Sequence, residues 1–194
     1  MLQINFSKVR PLFNGRLTQA QVDGLNTLMT AINAARVTDP RWVAYMLATA
    51  FHETAQTMQP IKEAGGQAYF KRRYDITGER PALAKANGNI YPGDGAKFCG
   101  RGYVQLTWRS NYERMSKIID TDLVADPDKA MRPDIAADVM IIGMKQGRFT
   151  GRHLSEFFNE RLTDWVGARR IINGTDRAEL IAGYAKAFLA ALHT

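Results

Sequence analysis

Two carboxylates ten residues apart, Glu53 in Phe51-His52-Glu53-Thr54 and Glu63 in Lys62-Glu63-Ala64-Gly65-Gly66, stand upstream of a glycine-edged polar ribbon, Gly100-Arg101-Gly102-Tyr103-Val104-Gln105-Leu106-Thr107. Such a pair suits hydrolysis of a glycosidic bond. One protonated carboxyl gives the leaving oxygen a proton, and one ionised carboxylate activates water or attacks the sugar. On a helical wheel Glu53 falls roughly 20° from Met46, at the margin of an apolar stripe. Its plainer reading is a surface glutamate near a helix C-terminus. Glu63 follows a proline break and precedes two glycines, on a loop where backbone can approach a ligand closely. Its plainer reading is a solvated charge beside Lys62. The chain between them spans at most roughly 35 Å, which permits a shared site without requiring one.

These groups need elements to hold them. Thr18-Gln19-Ala20-Gln21 fits a capping box, and Val22, Leu25, Leu28, Met29 and Ile32 recur at helical spacing, which predicts a helix from about Thr18 to Ala35. Asp39 before Pro40 is an N-cap with proline at the first helical position. The stripe Val43, Met46, Leu47, Ala50, Thr54 then predicts a second helix that ends before Pro60. From Gly65 to Gly100 glycine and turn residues predict loops or short irregular pieces. Phe98 to Thr107 is the one strand-like stretch. Beyond Asp126-Pro127 the helical pattern returns through Ile135, Val139 and Ile142, then Leu154, Phe157 and Phe158. A last helix carries Ile181, Ala185, Phe188 and Leu192.

A chain of 194 residues accommodates one domain or two small lobes. Cys99 is the single cysteine, so neither an internal disulfide nor a four-cysteine zinc site can form. Met1 to Gly15 contains no uninterrupted apolar run, and neither a signal peptide nor a membrane span is read there. The net charge of +7 favours an anionic partner, whether nucleic acid, lipid headgroups or an acidic wall polymer.

Several rival sites fail on spacing. His52-Glu53 is no zinc-protease motif, because Gln56 stands where the second histidine belongs, and His153 and His193 are remote in sequence. No metal and no cofactor is expected. Gly93-Asp94-Gly95 lacks the third glycine of a dinucleotide fingerprint, and no phosphate loop occurs. Lys71-Arg72-Arg73, between Phe70 and Tyr74, suits phosphates or wall carboxylates, or is simply a solvated charge run. Trp42, Trp108 and Trp165 suit either sugar faces or the core.

Taken together, these segments resemble the family-19 glycoside hydrolases, the chitinase family that also includes bacteriophage lysozyme-like endolysins. The resemblance runs over most of the chain. His52-Glu53-Thr54 is similar to the segment bearing the family's general acid, which implies that role for Glu53; Glu63 takes the place of the general base. Gly100 to Tyr112 is the most specific match, and implies that Thr107 helps hold the attacking water while Gln105 and Asn111 hydrogen-bond sugar. For these three the plainer reading is hairpin pairing and turn capping. Arg169 to Gly174 resembles a substrate-contacting asparagine segment, which points to Asn173. There the chain departs from the pattern: Thr175 replaces a glycine, and the run to Asp176 and Arg177 is compressed. Expected sugar contacts are thus His52, Tyr103, Gln105, Asn111, Asn173 and Arg177, while the compressed run leaves open whether Asp176 and Arg177 join the network around Glu63.

The resemblance implies a mainly α, lysozyme-like, two-lobed helical domain with a short β-hairpin at the cleft, residues 1–194 forming a single catalytic domain without a separate wall-binding module. It implies inversion at the anomeric carbon, which calls for carboxyls roughly 6.5–9.5 Å apart. The expected substrate is the β-1,4-linked glycan of bacterial peptidoglycan, cut by an endolysin that acts as a monomer. Such an enzyme resides in the host cytoplasm and reaches the wall through holin-type release. An anionic outer-membrane surface is a further candidate partner, and nucleic acid is not. The alternatives are a chitinase, a lytic transglycosylase using one glutamate, and a non-catalytic basic wall-binding module.

Overall fold

The computed structural model describes residues 1–194. From the N-terminus run β1 (Gln3–Ile4), α1 (Phe6–Val9), α2 (Gln19–Ala34) and α3 (Pro40–Glu53). Next come β2 (Ile61–Lys62), α4 (Gln67–Tyr74), α5 (Pro81–Ala86), α6 (Asp94–Lys97), β3 (Arg101–Gly102) and α7 (Arg109–Ile119). The chain closes with α8 (Pro133–Gln146), α9 (Leu154–Phe157), α10 (Ala178–Ala191) and β4 (Leu192–His193). The protein is therefore mainly helical, and it divides into two compact units: Met1–Gln59 with Met140–Thr194, and Pro60–Val139.

The first unit is organised by α3. Asp39 caps it by accepting from the Arg41 amide at 2.8 Å, and Pro40 occupies the first turn. From Val43 to Phe51 every residue is buried. That is the behaviour of a helix apolar on all sides, and each large side chain so buried contributes about 1.5–3 kcal/mol. The Phe51 ring lies between Phe13, Tyr184 and Phe188, with centroids at 5.0, 4.8 and 5.8 Å. Tyr184 and Phe188 belong to α10, which packs on α3. The Thr18–Gln21 capping box opens α2 as expected, with Thr18 Oγ1 accepting from the Gln21 amide at 3.2 Å and Gln21 Oε1 accepting from the Thr18 amide at 2.8 Å. Leu192, expected on the last helix, instead pairs with Ile4 in the antiparallel β1–β4 ribbon.

The second unit departs more from expectation. Three short helices, α4 to α6, fill the stretch expected to be loop; at eight, six and four residues they are too brief for a periodic pattern to show. Asp75 ties this stretch together. Its carboxylate, 2% exposed, accepts from the Thr77 amide and hydroxyl at 3.0 and 2.7 Å, and from the Gly93 and Gly95 amides at 2.7 and 3.1 Å. The strand expected over Phe98–Thr107 shrinks to Arg101–Gly102, paired antiparallel with Ile61–Lys62. Arg101 and Leu106 exchange both backbone bonds, at 2.8 and 3.2 Å, across a tight hairpin. Left-handed φ values of 52° at Gln105 and 77° at Trp108 end the extended run there.

Candidate active site

Glu63 is anchored by its own backbone and by three donors to its side chain. Its amide donates to the Gly100 carbonyl at 2.8 Å, extending the β2–β3 pairing by one residue. Oε1 accepts from the Tyr74 hydroxyl at 2.8 Å and the Tyr69 hydroxyl at 3.2 Å; Oε2 accepts from the Gly100 amide at 3.2 Å. The Gly100 contact depends on the missing side chain, because a Cβ at residue 100 would stand 2.8 Å from Gln105 Oε1 and 3.2 Å from Glu63 Oε2. Arg73 in turn donates to the Tyr69 oxygen at 3.0 Å and lies over both tyrosine rings. Burial and the Glu63 carboxylate both push the Tyr74 hydroxyl pKa up, so that it stays a proton donor.

Along the ribbon, the Thr107 hydroxyl donates to the Gln105 carbonyl at 2.8 Å, which leaves Oγ1 as an acceptor. Gln105 Nε2 donates to the carbonyls of Ile61 and Gly102 at 3.0 and 3.1 Å, and Asn111 Nδ2 donates to the Thr107 carbonyl at 2.8 Å. The hairpin and turn bonds of the plainer reading are therefore present, and all three side chains remain partly exposed. Tyr103, expected among the sugar contacts, is 1% exposed: its ring packs inside the second unit and offers no face to a sugar. Burial alone pushes its hydroxyl pKa up to about 12.

In the first unit Glu53 is the last residue of α3. Position at an apolar margin is an incomplete description of it, because Arg169 Nη1 donates to its Oε1 at 2.7 Å. Arg169 comes from a 3₁₀ turn over Gly167–Ile171 and is 3% exposed, and its Nε donates to the Asp176 carbonyl at 3.1 Å. Thr54 is buried behind the site, its hydroxyl donating to the Ala50 carbonyl at 2.7 Å and accepting from the Met58 amide at 3.1 Å. Half-buried His52 is pulled below its ordinary pKa, by burial first, with the Arg169 and Arg177 charges adding to it and Glu53 opposing. Asn173 and Arg177 are exposed; Asn173 Oδ1 accepts from the Gly174 amide at 2.9 Å, and Arg177 caps α10 with a left-handed φ of 54°.

Sequence reasoning missed Tyr69, Tyr74 and Arg169. Once residues 67–74 are read as a helix, the pairs Tyr69/Arg73 and Phe70/Tyr74 share its i, i+4 spacing, the signal that would have found the two tyrosines. Nothing local marks Arg169 apart from Arg170, since its partner lies 116 residues away.

The family model described as "Chitinase class I", glycoside hydrolase family 19, matches residues 20–145, well over half of the chain. Among solved structures, chitinase C from Streptomyces griseus HUT6037 is similar at 21% identity and a TM-score of 0.62, over 95% of this chain and 73% of that one. A bacterial family 19 chitinase matches at 18% identity and 0.60, over 97% and 94% of the respective chains, and a class IV chitinase from Zea mays at 19% and 0.53, over 95% and 90%. At these identities the three matches speak to the fold. No curated protein sequence matches the chain. Glu53, Glu63 and Thr107 lie inside the matched stretch, and Asn173 and Arg177 outside it. With a family model covering most of its length and a mainly helical fold shared with solved family members, the chain belongs to glycoside hydrolase family 19 and is a glycoside hydrolase.

Proposed function

We propose that this glycoside hydrolase cleaves the β-1,4-linked glycan of bacterial peptidoglycan by inverting acid–base hydrolysis, as an endolysin acting in host cell lysis. In this reading the Glu53 carboxyl gives its proton to the glycosidic oxygen as the bond from that oxygen to C1 breaks. Water held by Thr107 Oγ1 attacks C1 from the opposite face and loses a proton to Glu63. Arg169 then faces the carboxylate that proton delivery leaves on Glu53. Exchange of both protons with solvent resets the pair.

The observation that carries the catalytic assignment is the set of donors aimed at Glu63, two tyrosine hydroxyls and one backbone amide. A merely solvated glutamate has no such cage. His52, Gln105, Asn111, Asn173 and Arg177 are proposed to contact sugar, residues 1–194 to act as one catalytic domain, and the protein to work as a monomer. The net charge of +7 supports murein, a polymer that carries carboxylates, over a neutral glycan. No helix is long and apolar enough to cross a membrane. Residence in the host cytoplasm and holin-type release to the wall are part of the proposal.

A chitinase uses the same chemistry on a neutral polymer, and the family match favours it equally. Reducing ends released from purified murein and from chitin separate the two. Preferential release from murein supports the proposal, and release from chitin alone refutes its substrate.

A further inference from the structure

α4 has two faces, and the catalytic reading uses one. Tyr69, Phe70, Arg73 and Tyr74 form the face that holds Glu63. On the other, Ala68 and Lys71 form the shared wall of two adjoining depressions of about 530 and 430 Å³, both also touching Thr77. Pro92, Gly93 and Ala96 edge the larger, and Arg72 and Glu79 the smaller. Lys71 and Thr77 are exposed, and no ion pair or hydrogen bond within the protein engages the Lys71 ammonium. Of the acids that line the groove, Asp75 is buried and its oxygens accept from Thr77, Gly93 and Gly95. Arg72 meets Glu79 only at 3.8 Å, with both side chains more than half exposed. The result is a small-residue trough with an exposed lysine, without an ion-pair partner, in its wall.

From this geometry we propose that the outer face of α4 binds the acidic, alanine-containing peptide that murein carries on its glycan, and so distinguishes murein from chitin. The inference rests on the peptidoglycan reading above. Lys71 pairs with a peptide carboxylate, and the trough formed by Ala68, Ala96 and Pro92 receives methyl-sized side chains. Reach is adequate: four or five extended residues cover roughly 13–18 Å, and one helix with its side chains is about 10–12 Å across. A peptide leaving a sugar beside Glu63 can therefore round the exposed Gly65-Gly66 end of α4 and enter the groove. Chitin carries neither peptide nor carboxylate, so the cation has no counterpart there.

The test compares the wild type with Lys71→Glu on peptide-bearing murein glycan and on the same glycan stripped of peptide by an amidase, with a parallel NMR titration of the free acidic stem peptide. Charge reversal replaces one exposed attraction by a repulsion, and should raise KM on peptide-bearing glycan about tenfold while leaving cleavage of stripped glycan unchanged. The free peptide should shift amide resonances at Ala68, Lys71 and Thr77 in the wild type only. Equal activity of the two proteins on both glycans, or equal loss on both, overturns the groove assignment, as does displacement of the peptide by a phosphate polymer that binds more tightly. If the wild type cuts neither murein substrate, the peptidoglycan reading fails by itself. The titration then decides the groove: shifts at those three residues uphold it, and their absence overturns it.

Discussion

The Glu63 side chain has two phenolic donors and an amide within 3.2 Å, and the proposal makes it the base. Glu63→Gln keeps the volume and removes the base, so kcat should fall about 10²–10⁴-fold in a protein with an unchanged circular dichroism melt. Near-wild-type turnover would show that water is activated elsewhere. Tyr74→Phe deletes one hydrogen bond to a charged acceptor, of a class worth about 1.5–3 kcal/mol, and should lower kcat roughly tenfold or more. Arg169 belongs to a different category, because it is 4% exposed at its side chain and faces Glu53 across 2.7 Å. Removing the guanidinium strips a charge-assisted hydrogen bond from Glu53 Oε1; Arg169→Met should destabilise the protein by about 1.5–3 kcal/mol, measured by denaturant unfolding. A stability loss under 1 kcal/mol would mean that solvent replaces the guanidinium.

Among the elements, α4 and α6 are tied together by Asp75, which follows α4 and accepts from the Gly93 and Gly95 amides at the start of α6. Burial disfavours its charge, yet hydrogen bonds from Thr77, Gly95 and Gly93 outweigh that cost and hold the carboxyl below its ordinary pKa. Because the folded value lies below the unfolded one, the stabilisation is fully present above about pH 4 and disappears as pH falls through the folded value. Asp75→Asn should therefore be less stable near neutrality and show a weaker dependence of stability on pH below 4, as read by urea unfolding at several pH values. An unchanged acid dependence would remove Asp75 from the cause. This is also where the sequence was least legible. The long helices α2, α3, α8 and α10 announce themselves through capping residues and apolar spacing. The short helices have no period to read, and Asp75 acts through glycines 18 and 20 residues away. The hairpin motif was readable as chemistry, but its left-handed Gln105 and Trp108 were not, since neither residue type favours that conformation.

For the whole molecule, what the sequence carried plainly was the pair of carboxylates and the family; what it concealed was the set of partners that hold each carboxylate, since those come from tertiary packing. Tyr103 illustrates the limit: a motif position suggested sugar contact, and burial removed it. The excess positive charge of +7 acts over the full molecule and is screened by salt. Cleavage of murein should therefore slow between low and physiological ionic strength, while cleavage of a neutral chitin oligomer should change little; equal salt sensitivity would detach the charge from substrate choice. The central chemical claim is a single displacement by water, driven by Glu53 as acid and Glu63 as base. Time-resolved NMR of the anomeric protons released from peptide-stripped murein glycan tests it directly. Inverting hydrolysis requires α-anomeric reducing ends at first appearance, mutarotating later. First-formed β-anomer, or a 1,6-anhydro end with no water consumed, would contradict it.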